Sequence, residues 1–124
     1  MKEISTNAAP ASIGPFSQGI HDGDRLFVSG QGPVDPETGE IIDGGIRDQT
    51  KRSLENIEAV LQAGNSSLEN VVKATVFVQN MDDYDAINDV YGSYMTEPYP
   101  ARSAVQVEDL PIDIGVEIEV IATV

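Results

Sequence analysis

The stretch VVKATVFVQNMDDYDAINDVY, residues 71–91, contains a predicted strand followed directly by a predicted helix. Its first part alternates with the two-residue period of a strand: one side carries Val72, Ala74, Val76 and Val78, and the other carries Lys73, Thr75, Phe77 and Gln79. Behind Asp82, a predicted helix cap, apolar residues recur at helical spacing, namely Tyr84, Ile87, Tyr91, Tyr94 and Met95. This succession predicts a fold in which helices pack on a sheet.

The segments on either side extend the pattern. A helix is predicted from Ile46, with an apolar face of Ile46, Leu54, Ile57 and Leu61, and Gly64 is expected to end it as a C′ glycine. Strands are predicted at RLFVSG (25–30), at 102–107 and at 116–124, with a short strand after IGPFSQGI (13–20) and short extended flanks around the turn GPVDPETGEI (32–41).

The resulting order, β-β-β-α-β-α-β-β, predicts the fold class. We expect a single domain, residues 1–124, with an α/β (α+β) architecture: a two-layer sandwich with two helices on one face of a mixed β-sheet. The other face of the sheet is then left uncovered. Because an exposed apolar sheet face favours aggregation, we expect an oligomer.

Composition excludes several classes of function. The chain has no cysteine, which excludes disulfides, thiolate metal sites and cysteine nucleophiles. Acidic residues outnumber basic ones by 21 to 7, giving a formal charge of −14, so the chain is expected to repel nucleic acid and anionic membranes. The N-terminus lacks the apolar stretch of a signal peptide, and no run approaches the ~20 apolar residues of a membrane span. We therefore expect a cytoplasmic protein.

The acidic residues are spread along the chain and do not form one tail. We interpret this as adaptation to a high-salt cytoplasm, in which ions screen the self-repulsion; an ordinary acidic bacterial protein is the alternative. Equal stability in dilute and molar salt would contradict the first interpretation.

Two segments near the C-terminus carry the candidate chemistry. PYPARSAVQV (98–107) places Arg102, one of the few basic residues, at the start of a strand, and GVEIEVIATV (115–124) places Glu117 and Glu119 on one strand face, away from the helices. Because sequential strands are usually neighbours, Arg102 is a candidate partner or cavity neighbour of a glutamate. Such a pair could hold a small carboxylate on the guanidinium and activate water with the glutamate; a plain cross-strand ion pair is the alternative.

Several motifs together resemble a known family. IGPFSQGI, LFVSGQGPVDPETGEI, VVKATVFVQNMDDYDAINDVY, PYPARSAVQVEDLP and VEIEVIA are similar, in order and spacing, to the Rid family of reactive-intermediate deaminases (RidA/YjgF type). The resemblance covers nearly the whole chain. Its specific part is the combination of PARS with a glutamate 15 residues later in EIE.

The resemblance implies a chorismate-mutase-like sandwich that forms a homotrimer with three clefts between subunits. It implies hydrolysis of enamines and imines, such as 2-aminoacrylate and 2-iminobutanoate, to 2-oxo acids and ammonia, with no metal and no organic cofactor. Arg102 would bind the substrate carboxylate and Glu117 would activate water. Ser29, Gly30 and Asn88 match residues that line the family's pocket.

The chain departs from the family pattern at two positions. Phe16 stands where the family motif has tyrosine, and Ala104 stands where the family often has cysteine. An imine is already electrophilic and hydrolyses in water unaided, so we expect that positioning its carboxylate and one water suffices for catalysis. Chemistry that depends on Arg102 and Glu117 is therefore expected to tolerate both changes, although the lost hydroxyl at position 16 affects the expected substrate and rate.

Other polar residues have simpler interpretations. His21 is expected at the surface, Ser29 and Ser103 have no evident base that would make them nucleophiles, and the tyrosines of the second predicted helix are expected to serve packing. Two other functions remain open: a non-catalytic trimer that binds 2-oxo acids or other small carboxylates, and RNA binding or cleavage, against which the negative charge argues.

Overall fold

Six strands form one mixed sheet in a computed structural model that describes all residues, 1–124. The strands are β1 (Lys2–Ile4), β2 (Gly19–Asp22), β3 (Arg25–Gln31), β4 (Val71–Val78), β5 (Ala101–Gln106) and β6 (Val116–Thr123). The helices are α1 (Ile46–Ala63) and α2 (Tyr84–Tyr94), and short 3₁₀ turns precede β4 at Leu68–Asn70 and α2 at Met81–Asp83.

The sheet order is β1-β2-β3-β6-β4-β5. All neighbouring strands are antiparallel except β4 and β5, which are parallel and are joined through α2. Both helices lie on one face of the sheet, so the predicted α+β class and layering are confirmed. Helices and sheet share one apolar core, whose largest fully buried side chains include Leu26, Leu54, Ile57, Leu61, Ile87 and Ile118. No helix has both the length and the hydropathy needed to cross a bilayer.

Strand β4 departs from the predicted alternation at its start. The register between β4 and β6 shifts between Val71 and Lys73, which leaves Val72 opposite no residue. Val71 is buried and Val72 is 41% exposed, so the prediction that Val72 points into the core is wrong. An extra residue of this kind reverses the side of the strand on which its neighbours lie, and the predicted alternation holds only from Lys73 onward.

The helix ends also differ from the predictions. Gly64 has φ −93°, and the left-handed residue is Asn65 with φ 62°. The glycine is required for space, because a Cβ at position 64 would collide with the Leu26 side chain. Asp82 does not cap α2. The Asn80 side chain instead accepts a hydrogen bond from the Asp82 N–H and caps the 3₁₀ turn that leads into the helix.

The N-terminal strands were predicted only in part. Lys2–Ile4 pairs with β2 as an edge strand that the sequence pattern did not indicate. The predicted extended flanks of residues 32–41 form only an isolated bridge between Val34 and Ile41. This segment is held by side-chain contacts to α1 instead of by strand pairing.

Asn56 of α1 is the main anchor of that segment. Its fully buried amide donates hydrogen bonds to the carbonyl oxygens of Gly32 (3.1 Å) and Val34 (2.9 Å). Its oxygen accepts from Nη2 of Arg52 at 2.9 Å. Buried polar groups that lose such partners are costly, because nothing replaces the lost hydrogen bonds.

We therefore predict that Asn56→Ala lowers the free energy of unfolding by about 2–4 kcal/mol and the Tm by roughly 10 °C. Thermal unfolding followed by circular dichroism measures the change. Asn70→Ala, which alters an exposed asparagine, is the matched control. Equal Tm values for the two variants would show that the Asn56 contacts contribute little.

Candidate active site

Arg102 lies on β5, which is an edge strand of the sheet. Its backbone pairs in register with Ala74 of β4, and Ala74 is buried on the helix side. Because paired residues of neighbouring strands point to the same face, the Arg102 side chain also points to the helix side. There Nη2 of Arg102 donates a hydrogen bond of 2.9 Å to the hydroxyl of Tyr84, and the guanidinium carbon lies 4.8 Å from the centre of the Tyr91 ring.

No carboxylate of the chain pairs with Arg102. The three ion pairs are Arg25–Asp24, Arg47–Asp89 and Arg52–Glu55. The alternative of a cross-strand ion pair between Arg102 and a glutamate is therefore wrong within one chain. A partly buried guanidinium that remains without an anion among 21 acidic residues is a suitable site for an external carboxylate.

The neighbourhood of Arg102 on the helix side includes two further predicted site residues. Ala104 follows two positions along β5 and packs partly buried against the core. Asn88 lies between Tyr84 and Tyr91 on the same face of α2, because positions i, i+4 and i+7 share one side of a helix. The Asn88 Oδ1 and Tyr91 hydroxyl are buried without a hydrogen-bond partner.

Glu117 occupies the opposite face of the sheet. It lies on β6 between the buried residues Val116 and Ile118, and it pairs in register with Phe77 of β4. Partial burial raises the pKa of the Glu117 carboxyl, and the charge of Glu119 raises it further. Its carboxylate lies over Gly30, where any Cβ would collide with it. The absence of a side chain at position 30 thus makes room for the Glu117 carboxylate.

Ser29 and Phe16 belong to the same region of the chain as Gly30. The Ser29 hydroxyl donates a 2.6 Å hydrogen bond to the carbonyl oxygen of Ser17, and the Ser29 N–H donates one of 3.0 Å to Gln18. Ser29 therefore fastens the loop that carries Phe16, whose side chain is 53% exposed. Its hydroxyl is engaged in this contact and has no base beside it, as expected for a residue that is not a nucleophile.

The predicted site residues thus form two groups on opposite faces of one sheet. Arg102, Ala104 and Asn88 lie on the helix side, and Glu117 and Gly30 lie on the open side. The expectation that the strand of Arg102 neighbours the strand of Glu117 is wrong, because β4 lies between β5 and β6. The surface also has two grooves with volumes of about 600 and 340 Å³, and neither Arg102 nor Glu117 lines them.

Sequence reasoning missed Tyr84 and Tyr91, which it interpreted as packing residues. The available signal was their spacing with Asn88 on one helix face, together with the predicted position of α2 between two strands of the sheet. No pattern in the sequence indicated that Arg102 would lie against this face. No cluster of three or more His, Cys, Asp or Glu side chains is arranged to hold a metal ion.

The pKa of Glu117 leads to a testable pH dependence. A carboxylate must be deprotonated to accept a proton from water, so activity should fall as the pH drops through the raised pKa of Glu117. Glu119→Gln removes the neighbouring charge and lowers that pKa. We therefore predict that the acidic limb of the kcat/KM profile moves to lower pH in Glu119→Gln and stays in place in Glu37→Gln, a control in an exposed turn. An unmoved limb in Glu119→Gln would exclude Glu117 as the titrating group.

The fold and the two groups of residues define an α+β protein with a free guanidinium and a separate, partly buried carboxyl. A sequence model of a family described as endoribonuclease L-PSP matches residues 6–124. A RutC family protein from Pyrococcus horikoshii is 52% identical, with 98% of each chain covered. A 2-iminobutanoate/2-iminopropanoate deaminase from Bos taurus is 44% identical, covering 98% of this chain and 88% of its own.

Solved structures agree with these sequence relatives. RidA from an Antarctic Psychrobacter matches with a TM-score of 0.96 at 40% identity over 100% of both chains. Escherichia coli TdcF with bound serine matches with a TM-score of 0.94 at 43% identity, over 100% of this chain and 99% of that one. The chain therefore belongs to the Rid family, whose members among these relatives include named deaminases of reactive intermediates.

Proposed function

We propose that this protein hydrolyses 2-imino and 2-enamino acids, such as 2-iminobutanoate and 2-aminoacrylate, to 2-oxo acids and ammonia. The observation that carries the proposal is the guanidinium of Arg102, which is partly buried and pairs with no carboxylate of a chain that has 21 acidic residues. The names of the deaminase relatives support the same reaction. The substrates are expected in the cytoplasm.

In the proposed reaction, Arg102 holds the substrate carboxylate by two parallel hydrogen bonds. Glu117 accepts a proton from water as the water oxygen bonds to the imine carbon. The carboxyl returns that proton to the nitrogen, which gives a carbinolamine. It then accepts the proton of the new hydroxyl group and passes it to the amine nitrogen; the carbon–nitrogen bond breaks as the carbonyl forms, and ammonia leaves with the 2-oxo acid. A 2-enamino acid enters this sequence as its 2-imino tautomer. Burial and the charge of Glu119 raise the pKa of Glu117, which makes its carboxylate a stronger base for the first proton transfer.

The two residues are proposed to act together across an interface between copies of the chain. Within one chain they lie on opposite faces of the sheet. Arg102 is on an edge strand, and the open face around Glu117 carries exposed apolar side chains, including Phe27 (42% exposed) and Val105 (43% exposed). A homotrimer with clefts between subunits would cover that face and bring the edge of one subunit to the open face of the next.

Mixing two inactive variants tests the shared site. If Arg102 and Glu117 act from different subunits, trimers reassembled from equal amounts of Arg102→Ala and Glu117→Gln should regain about a quarter of the sites, because each site needs one intact residue from each variant. Light scattering should give the mass of a trimer. A monomer in solution, or a mixture as inactive as its components, would contradict the shared site.

The deaminase activity is tested by coupling the protein to a threonine dehydratase and trapping the released imine with semicarbazide. We expect less trapped imine with the protein than without it, in dilute buffer or in molar salt. Trapped imine that stays at the level without protein in both conditions would contradict the proposed function.

The alternative is a trimer that binds small carboxylates without turnover, since Arg102 alone suffices for binding. Escherichia coli TdcF, a solved relative, carries bound serine, which is an amino acid and not an imine. The same protein is named a reactive intermediate deaminase, so the bound serine is compatible with both candidates. Tight binding of 2-oxobutanoate with no turnover would support this alternative.

We expect no RNA binding at physiological salt because of the charge of −14, although the family description names an endoribonuclease.

A further inference from the structure

Two tyrosines of α2 contact the Arg102 side chain. Its side chain has several rotatable bonds, and an arginine on an edge strand loses conformational entropy when it binds a ligand. Here the Tyr84 hydroxyl accepts a hydrogen bond of 2.9 Å from Nη2, and the guanidinium carbon lies 5.6 Å from the centre of the Tyr84 ring and 4.8 Å from that of Tyr91. The guanidinium is therefore in contact with two aromatic rings and bonded to one hydroxyl before any ligand arrives.

The two tyrosines contribute different groups. Tyr84 offers its hydroxyl, which bonds to Arg102, whereas the buried hydroxyl of Tyr91 has no hydrogen-bond partner. Burial raises the pKa of Tyr91, so its hydroxyl stays neutral and its ring is the part that interacts with the cation. Arg102 has five N–H groups, and only one of the two on Nη2 is bound to a protein acceptor, so four N–H groups remain available for a carboxylate.

We propose that Tyr84 and Tyr91 are positioning residues that hold the Arg102 guanidinium in its carboxylate-binding orientation, Tyr84 by its hydroxyl and Tyr91 by its ring. This rests on the proposed function only for the identity of the ligand. Holding the guanidinium in place reduces the entropy lost on binding, so the two tyrosines set affinity for the substrate carboxylate and not the rate of proton transfer at Glu117.

Variants that remove only a hydroxyl, or the whole ring, separate the two contributions. Tyr84→Phe removes one hydroxyl and should raise KM, and the Kd for 2-oxobutanoate, about two- to tenfold with kcat unchanged, as expected for one lost hydrogen bond. Tyr91→Phe keeps the ring and should behave as the wild type, whereas Tyr91→Leu should weaken binding by a similar factor. Tyr94→Phe is the matched control on the same helix, because the Tyr94 hydroxyl does not contact Arg102.

A measurement that requires no substrate tests the positioning by itself. In protein labelled with ¹⁵N-arginine, rotation about the Nε–Cζ bond of Arg102 should be several-fold faster in Tyr84→Phe than in the wild type and in Tyr94→Phe. Arg102→Lys identifies the signal among the four arginines. This readout applies even where Tyr91→Leu fails to fold.

The outcomes distinguish the two proposals. Suppose that the Arg102 guanidinium rotates faster in Tyr84→Phe, but that the wild-type protein neither binds 2-oxobutanoate nor turns over imines. This result would support the positioning role of Tyr84 and contradict the proposed function. Unchanged rotation together with an unchanged KM in Tyr84→Phe would overturn the positioning, even with a fully active wild type.

Discussion

Arg102→Ala is expected to lower kcat/KM for 2-imino acids by about 10²–10⁴. A guanidinium binds a carboxylate through two charge-assisted hydrogen bonds, and each contributes about 1.5–3 kcal/mol. Alanine removes both, and no other arginine or lysine replaces Arg102 beside Tyr84 and Tyr91. The coupled assay with semicarbazide trapping measures the loss.

Two further variants make the Arg102 prediction specific. Arg102→Lys keeps the charge but loses the planar fork, so it should recover only a small part of the activity. Arg25→Ala removes an exposed arginine that pairs with its neighbour Asp24, and it should match the wild type. If Arg102→Ala retained the activity of Arg25→Ala, the carboxylate-binding role would be excluded.

Glu117→Gln is expected to lower kcat by about 10²–10⁴, because it removes the general base. Binding of 2-oxobutanoate should remain, since Arg102 is unchanged. Glu119→Gln, two residues along the same strand, is the matched control and should retain kcat near neutral pH. A Glu117→Gln variant as active as Glu119→Gln would remove Glu117 from the mechanism.

The same substitution should stabilise the fold near neutral pH. The pKa of Glu117 is raised in the folded protein, mainly by burial, so the folded state favours the protonated form. The stability from this group is present at low pH and is lost as the pH rises through the folded pKa. Glutamine resembles the protonated form, so Tm should rise at pH 7 and the gain should vanish in acid. A lower Tm at pH 7 would contradict this account.

Local periodicity was enough to predict most of the elements. The alternation from Lys73 onward and the helical repeat from Tyr84 depend on backbone geometry within a few residues, and both are confirmed. The prediction failed where one residue changes the geometry, as at the bulge of Val72, because period alone does not reveal an inserted residue. The prediction of the α2 cap failed because the chain forms a 3₁₀ turn before the helix, and it is the Asn80 side chain that reaches a free N–H group there.

The sequence by itself determined the α+β class, the two candidate residues Arg102 and Glu117, and the open sheet face, because each depends on residue type and local spacing. Only the tertiary structure decided that β4 lies between the strands of those two residues, that they point to opposite faces, and that two tyrosines contact the arginine. The physical reason is that strand order and side-chain contacts come from pairing between distant segments, which local spacing does not encode.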